Sequence, residues 1–279
     1  MYALVLQHPQ IDQIDLAWLW PSLGLTTPVA NNGVIRLTQD QPFALDAGQT
    51  QRLFAAKIEV ACLPDAPLSS IGLMVSDMDS TLITIECIDE IADQMGIKAQ
   101  IAEITERAMQ GELDFRASLI ERVALLKGLP ERALAEVYEH KLALTPGADT
   151  LIQTAQAHGI KFMLVSGGFT YFTDRLKARL GLDYAYANEL EIIDGVLTGN
   201  VIGPIIDAEA KATLLRQHRD ALGLTAEQVI AMGDGANDIP MLEAAGFGVA
   251  FHAKAKTKSH ATLCLDHRGL DQITPCFGA

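Results

Sequence analysis

Short apolar runs separated by amphipathic stretches set the plan of the chain from residue 71 onward. "IGLMVSD" (71–77), "IKFMLVSGG" (160–168), "VIAMGDG" (229–235) and "FGVAFH" (247–252) are apolar nearly throughout. Strands covered on both faces read this way, whereas half-exposed strands alternate apolar and polar positions. Helical periodicity fills the intervals at 147–158, 169–180, 207–222 and 237–245. Thr225 to Gln228, "TAEQ", fits a capping box that opens a short helical turn before the strand at Val229. Strands alternating with helices predict an α/β fold built on a doubly wound parallel sheet. In "EIIDGVLTG", Asp194-Gly195 lies between two strand-like runs and predicts a β-hairpin.

One stretch breaks the alternation. Residues 86 to about 142 are helical throughout. Ile88, Ile91, Ala92 and Met95 share one helix face, and Gly96 ends that helix. Ile101, Ile104 and Ala108 continue the pattern, with Gly111 as the next stop. Asp114 can cap "FRASLIERVALLKG", whose apolar face carries Leu119, Val123 and Leu126, and Pro130 opens the following helix. A helical block inserted directly after the first sheet strand predicts a cap over the sheet's carboxyl edge. Ahead of all this, residues 1–68 read as a small N-terminal α/β domain. Its strands are "YALVLQ", "VIRLT" and "IEVACL", and its helices are "DQIDLAWLW" and "DAGQTQRLFAAK". The expected organisation is therefore 1–68 for this unit, 69–84 with 144–279 for the core, and 85–143 for the cap.

Composition narrows the function. Among 279 residues 49% are hydrophobic and 20% charged, enough apolar material for a substantial core. The net charge of −14 argues against a nucleic-acid partner, which needs Lys and Arg for phosphate. It also means that a phosphorylated substrate would need a bound cation to offset like-charge repulsion. No run of about 18 apolar residues exists to cross a membrane. The first ten residues have no basic stretch or long apolar run of a signal peptide. Cys62, Cys87, Cys264 and Cys276 suit neither a zinc site nor a disulfide framework, which predicts reduced, mostly buried thiols in a cytoplasmic protein.

Ligands of open α/β sheets bind at the carboxyl ends of the strands. The first core strand ends in Asp77-Met78-Asp79-Ser80-Thr81, the second in Ser166-Gly167-Gly168, and a later one in Gly233 to Asp238. Lys211 lies on the helix ahead of that last strand. Each signal is weak alone, but this order after successive strands is hard to reach by chance. Clustered carboxylates repel unless protonated or bound to a cation. Asp77, Asp234 and Asp238 are hard oxygen ligands of the kind Mg²⁺ prefers. Glycines let backbone N–H groups approach phosphate oxygens, and Ser166 and Lys211 can donate to the same oxygens. A carboxylate can attack phosphorus, and a second acid two residues on can protonate the leaving oxygen and then activate water.

These residues carry a resemblance. D-x-D-x-T, then Ser-Gly-Gly, then Lys, then G-D-G-x-N-D resembles the haloacid dehalogenase-like phosphotransferase superfamily. "DMDSTLITIECIDEIA", "ERAMQGELDFRASLIERVALLKG", "VSGGF", "ANELEIIDGVLTGNV" and "GDGANDIPMLEAAG" are similar to its phosphoserine phosphatase family over about residues 71 to 275. The resemblance implies a Rossmann-like core, with Asp77 as nucleophile and Asp79 as general acid/base. It implies Mg²⁺ held by the Asp77 side chain, the Asp79 backbone carbonyl and Asp234, with Thr81 and Asp238 in support. Phosphate would be held by Ser166, Gly167 and Lys211, with Asn237 assisting. In the cap, Glu86 would take the substrate ammonium and Arg122 its carboxylate. The implied reaction is hydrolysis of O-phospho-L-serine, a small-molecule partner, at the end of serine synthesis. Two alternatives keep the same residues or lose the chemistry: transfer of the phosphoryl group to another alcohol such as homoserine, and a silent phosphoamino-acid sensor. The N-terminal unit is loosely like small ligand-binding domains but lacks a strand of their usual set, so a packing or homodimer-forming role suits it at least as well as a regulatory site.

Overall fold

The computed structural model describes residues 1–109 and 112–278. Gly111, expected to stop a cap helix, lies outside the described residues. The N-terminal part contains β1 (Tyr2–Gln7), α1 (Leu19–Ser22), β2 (Val34–Gln39), α2 (Ala47–Ala55) and β3 (Glu59–Pro64). Then come β4 (Leu73–Ser76) and four helices, α3 (Cys87–Gln94), α4 (Lys98–Met109), α5 (Phe115–Ala124) and α6 (Arg132–His140). The chain continues through α7 (Ala148–Ala157), β5 (Lys161–Phe169), α8 (Thr170–Leu180), β6 (Tyr184–Ile193), β7 (Val196–Ile202) and α9 (Ala208–Ala221). It closes with β8 (Val229–Gly233), α10 (Ile239–Ala244), β9 (Phe247–Phe251), α11 (Ala255–Lys258) and β10 (Leu263–Leu265).

The strands form one sheet in the order β2-β1-β3-β10-β9-β8-β4-β5-β6-β7. From β10 to β6 every neighbour is parallel. The fold is thus an α/β fold with a doubly wound, parallel-dominated core. β4, β8 and β9 are buried on every residue, as their unbroken apolar runs require. Asp194 and Gly195, both at positive φ, turn β6 into the antiparallel β7. The helices α3 to α6 leave and rejoin the core through a narrow neck. There Thr84 N–H donates to Ala143 O at 3.0 Å and Thr145 N–H donates to Leu82 O at 3.0 Å.

Three expectations need correction. The helix expected at 12–20 is reduced to a 3₁₀ turn at Ile11–Gln13 and the single turn of α1. Asp15 is the cause: its Oδ1 accepts from Ala17 N–H at 3.0 Å and its carbonyl from Trp18 Nε1 at 3.1 Å, which diverts the helical hydrogen bonding. Ile11, Leu16, Leu19 and Trp20 are buried nonetheless, so the apolar spacing reports packing without a helix. β10, three residues long, went unexpected because so short a run carries no period. Only two of the four thiols, Cys87 and Cys276, are buried; Cys62 is exposed.

β10 also joins the N-terminal strands to the core, through Leu263 opposite Ala61 in β3. β1 shows why that junction is firm. Ala3 and Val5 pack into the core's main apolar cluster, whereas Leu4 and Leu6 pack with Ile11, Trp20, Leu53 and Ile58 in a separate one. Gln7, at the end of β1, donates from Nε2 to Gln272 O at 3.0 Å. Glu59, buried on β3, accepts the backbone N–H groups of Asp266 and His267. Leu4→Ala should therefore cost about 2–5 kcal/mol and move a single urea transition of the whole chain. A separate early transition confined to the N-terminal strands would contradict this continuity.

Candidate active site

Three strand ends and one core helix build the floor of the site. β4 runs out at Ser76, and Asp77 begins a tight turn over Met78–Leu82 in which Ser80 sits at a left-handed φ of 54°. The reversal places Asp79 against the start of α3, where Cys87 N–H donates to Asp79 Oδ1 at 2.7 Å. Ser166, at the buried end of β5, donates from Oγ to Asp79 Oδ2 at 3.2 Å and accepts from Gly168 N–H at 2.8 Å. β8 delivers Asp234, whose Oδ1 accepts from Thr81 Oγ1 at 3.2 Å. Asp238 follows one turn later and accepts Gly235 N–H at 3.0 Å through Oδ2.

Lys211 on α9 is the only cation at the floor of this group among the described residues. Its Nζ lies 2.7 Å from Asp77 Oδ1 and 2.7 Å from Asp238 Oδ1, and the lysine is 1% exposed. Burial alone would lower its pKa, but Asp238 and Asp77 more than offset that and raise it. Burial raises Asp77 well above the usual carboxylate range; Asp238 adds to the rise and Lys211 opposes it. Burial likewise raises Asp79, against the hydrogen bonds from Cys87 and Ser166. Asp234 is pushed up to about 6 by burial and then by Asp238.

Above this floor opens a cavity of about 400 Å³. Asp77, Asp79, Gly167, Asp234 and Asn237 face it from the core, and Glu86 and Arg122 from the cap side. Ser166, Lys211, Asp238 and Thr81 lie buried beneath. The structure thus gathers every site residue named from the sequence around one space. Glu86, at the mouth, accepts from Ser80 Oγ at 2.6 Å and is pushed up to about 7 by burial and by the Asp79 charge. Burial lowers the Arg122 pKa, with Asp89 and Glu86 acting the other way.

Some contributors were not anticipated. Phe115 and Ser118 line the cavity beside Arg122 on α5, and their spacing along one helix face could have marked them. A Cβ on Gly167 would lie 2.9 Å from Phe115 Cζ, so a larger residue there would push that ring aside. Asn188 on β6, fully buried, donates from Nδ2 to Gly167 O and accepts Ile206 N–H, each at 2.8 Å. It fixes the β5 loop relative to the approach to α9, and nothing in its local sequence marks that role.

Three acids crowd together beside the cavity. Carboxylate oxygens of Asp77, Asp234 and Asp238 lie within 4.8 Å of one another. Both Asp238 oxygens are engaged, by Lys211 and by Gly235 N–H. Asp77 retains one oxygen, Oδ2, without a hydrogen bond among the described residues, and Asp234 is held by Thr81 through Oδ1. A pair of hard, crowded oxygens at the edge of an open cavity could hold a metal ion.

Comparison with known proteins agrees with this geometry. Residues 74–243 match the haloacid dehalogenase-like hydrolase family. A phosphoserine phosphatase from Polaromonas is 50% identical over 215 residues, which are 75% of this chain and 91% of that protein. A solved structure of a haloacid dehalogenase-family hydrolase from Salmonella enterica superposes with a TM-score of 0.86 at 34% identity, covering 98% of this chain and 97% of that one. The structure of a probable phosphoserine phosphatase from Vibrio cholerae gives a TM-score of 0.82 at 39% identity, over 99% of this chain and 85% of that one.

Lys211→Met should reveal the electrostatic debt of the site. Removing one partner from a buried charge cluster should cost about 3–5 kcal/mol at neutral pH in chelator-treated protein. Lys211 holds the Asp77 pKa down, so its loss raises that pKa further. A carboxyl titrating higher in the folded than in the unfolded state makes stability fall as pH rises. The gap to wild type, read by denaturant melts, should widen as pH rises through the acid-to-neutral range. A gap that narrowed over that range would contradict the pairing.

Proposed function

Because this chain belongs to the haloacid dehalogenase-like hydrolases, and within them to the phosphoserine phosphatases, we propose that it hydrolyses O-phospho-L-serine to L-serine and phosphate by way of an aspartyl phosphate on Asp77. The observation that carries the reading is the contact of Lys211 Nζ with Asp77 at 2.7 Å, on the floor of a cavity whose cap side holds Glu86 and Arg122. Lys211 and Met78 N–H fix the orientation of the Asp77 carboxylate through Oδ1, and the carboxylate so held attacks phosphorus. Asp79, its pKa raised by burial, carries a proton that it gives to the leaving serine oxygen. Arriving phosphate draws the Ser166 hydroxyl away from Asp79 Oδ2, and the freed carboxylate then takes a proton from the water that opens the aspartyl phosphate. Gly167 and Asn237 hold phosphate oxygens alongside Ser166 and Lys211.

We propose Mg²⁺ as the cofactor, held by the Asp77 and Asp234 side chains and the Asp79 backbone carbonyl, with Thr81 and Asp238 orienting the acids. When bound, it supplies positive charge where two carboxylates meet a phosphate dianion. In the cap, Arg122 pairs with the substrate carboxylate and Glu86 with its ammonium. Transfer to an alcohol such as homoserine is not favoured, because the relatives at 47–50% identity carry the phosphatase name. A silent sensor is not favoured either, since both Asp77 and Asp79 are in place.

Residues 69–84 and 144–279 form the catalytic core in this proposal, 85–143 the cap, and 1–68 a packing unit. A homodimer is proposed through that unit, where β2 is the end strand of the sheet among the described residues and leaves an open edge. No described helix is long and apolar enough to cross a membrane. A cytoplasmic setting is proposed from the four free thiols.

Phosphate release from L-phosphoserine and from p-nitrophenyl phosphate, with Mg²⁺ or with chelator, tests the reading. Activity should require the cation, and Asp77→Asn should abolish turnover of both substrates. Arg122→Ala should lose about 2–4 kcal/mol of transition-state stabilisation on phosphoserine and little on the aryl ester. A wild type inert toward phosphoserine, or equal losses on both substrates in Arg122→Ala, would overturn the assignment.

A further inference from the structure

The hairpin β6–β7 has two attachments on opposite sides of the cavity. At its start, Asn188 grips Gly167 O on the phosphate side. At its far end, β7 is clasped to the cap segment that follows α5. Gly128 N–H donates to Leu197 O, Leu197 N–H to Leu129 O, and Glu131 N–H to Gly195 O, each at 2.8 Å. Pro130 opposite Val196 extends this into an antiparallel bridge. Two residues on, the approach is closer still. A Cβ on Gly199, at φ +86°, would lie 2.9 Å from Lys127 Cβ and 3.2 Å from Ala124 O. Ala124 ends α5, the helix that brings Ser118 and Arg122 to the cavity.

The ribbon between these attachments is stiffened. Glu191 Oε2 accepts from Thr198 Oγ1 at 2.6 Å and from Asn200 Nδ2 at 2.9 Å, which locks the two strands together. The register shifts between Leu190 and Ile192, and such a shift adds local twist. Leu197 and Leu126, 1% and 0% exposed, pack the clasp from inside. One continuous element therefore ties the phosphate loop to the end of the helix that presents Arg122.

We propose that the β6–β7 ribbon is a ruler. It sets the distance between Gly167 at the phosphate end of the substrate and Arg122 at the carboxylate end, and so selects the length of phosphorylated amino acid that reacts. Gly199 and the clasp at 128–131 are positioning elements that act through α5; neither touches the substrate. The proposal rests on Arg122 reading the substrate carboxylate.

Two variants test it. Gly199→Val forces α5 away from β7. Glu131→Pro deletes the N–H bonded to Gly195, together with the Glu131 carboxylate, which makes no contact with Arg122 among the described residues. Its backbone φ of −52° suits a proline ring, and the position is the N-cap of α6, where proline is tolerated. Initial rates are measured on L-phosphoserine, on O-phospho-L-homoserine, which is one methylene longer, and on p-nitrophenyl phosphate. Displacing Arg122 by a fraction of its reach should lower kcat/KM on phosphoserine by about 10- to 100-fold in Gly199→Val. The loss should lie mainly in KM and be smaller in Glu131→Pro. The aryl ester should be unaffected, and the preference for phosphoserine over phosphohomoserine should narrow. In an Arg122→Ala background neither change should cost anything further on phosphoserine, whereas a merely structural defect would add its own penalty. Equal losses on all three substrates, losses that persist without Arg122, or no loss in folded variants would each overturn the ruler. If Gly199→Val does not fold, Glu131→Pro decides alone. A wild type inert toward phosphoserine overturns the ruler together with the substrate assignment; an active wild type with unaffected variants overturns the ruler only.

Discussion

Everything at the site depends on one buried ammonium. Lys211 Nζ sits 2.7 Å from both Asp77 and Asp238 in a space that excludes nearly all water. Without it, two carboxylates would have to share that space unpaired, and each would be costly. With it, Asp77 keeps one oxygen fixed and the other available, and Asp238 is held rigid enough to shape the Gly233–Gly235 turn. A Cβ on Gly233 would fall 2.4 Å from Asp238 Cγ, so that turn and the Lys211–Asp238 pair depend on each other. Still, one positive charge does not balance Asp77, Asp79, Asp234 and Asp238. Burial raises the Asp77, Asp79 and Asp234 carboxyl groups, Asp238 adds to the rise at Asp77 and Asp234, and a divalent cation or a protonated Asp79 relieves the crowding.

The sheet makes this arrangement reachable. Parallel strands put β4, β5 and β8 side by side with their carboxyl ends on one edge, so acids far apart in sequence meet there. The cap then supplies what the floor lacks. Its neck at 82–84 and 143–145 lies one turn from Asp79, and the clasp on β7 anchors its far side. Glu86 and Arg122 on the cap side and the acids of the core are thus two halves of one cavity, joined by short backbone contacts.

Much of this was legible in the sequence, for identifiable reasons. Strands buried on both faces leave unbroken apolar runs, so β4, β5, β8 and β9 could be placed to within a residue or two. Asp194-Gly195 marked the hairpin because both positions need positive φ. Asp77, Asp79, Ser166, Gly167, Lys211 and Asp234 announced themselves as polar residues at the ends of apolar strands or on the intervening helix. The failures are equally physical. Residues 12–20 bury an apolar face without a helix because Asp15 captures local hydrogen bonds. β10 owes its existence to β3 and β9 on either side rather than to its own three residues. Asn188 works entirely through contacts distant in sequence, which no local pattern encodes.

The central claim is that Asp77 becomes phosphorylated while Asp79 serves both proton transfers. Asp79→Asn separates the two steps when p-nitrophenyl phosphate is the substrate, because nitrophenolate leaves without a proton donor whereas hydrolysis of the aspartyl phosphate still needs a base. Rapid mixing followed by acid quench and peptide mapping reads the result. The account predicts a stoichiometric burst of nitrophenol, then a stall, with phosphate trapped on the peptide that contains Asp77. Steady nitrophenol release with no burst and no phosphorylated peptide would contradict it.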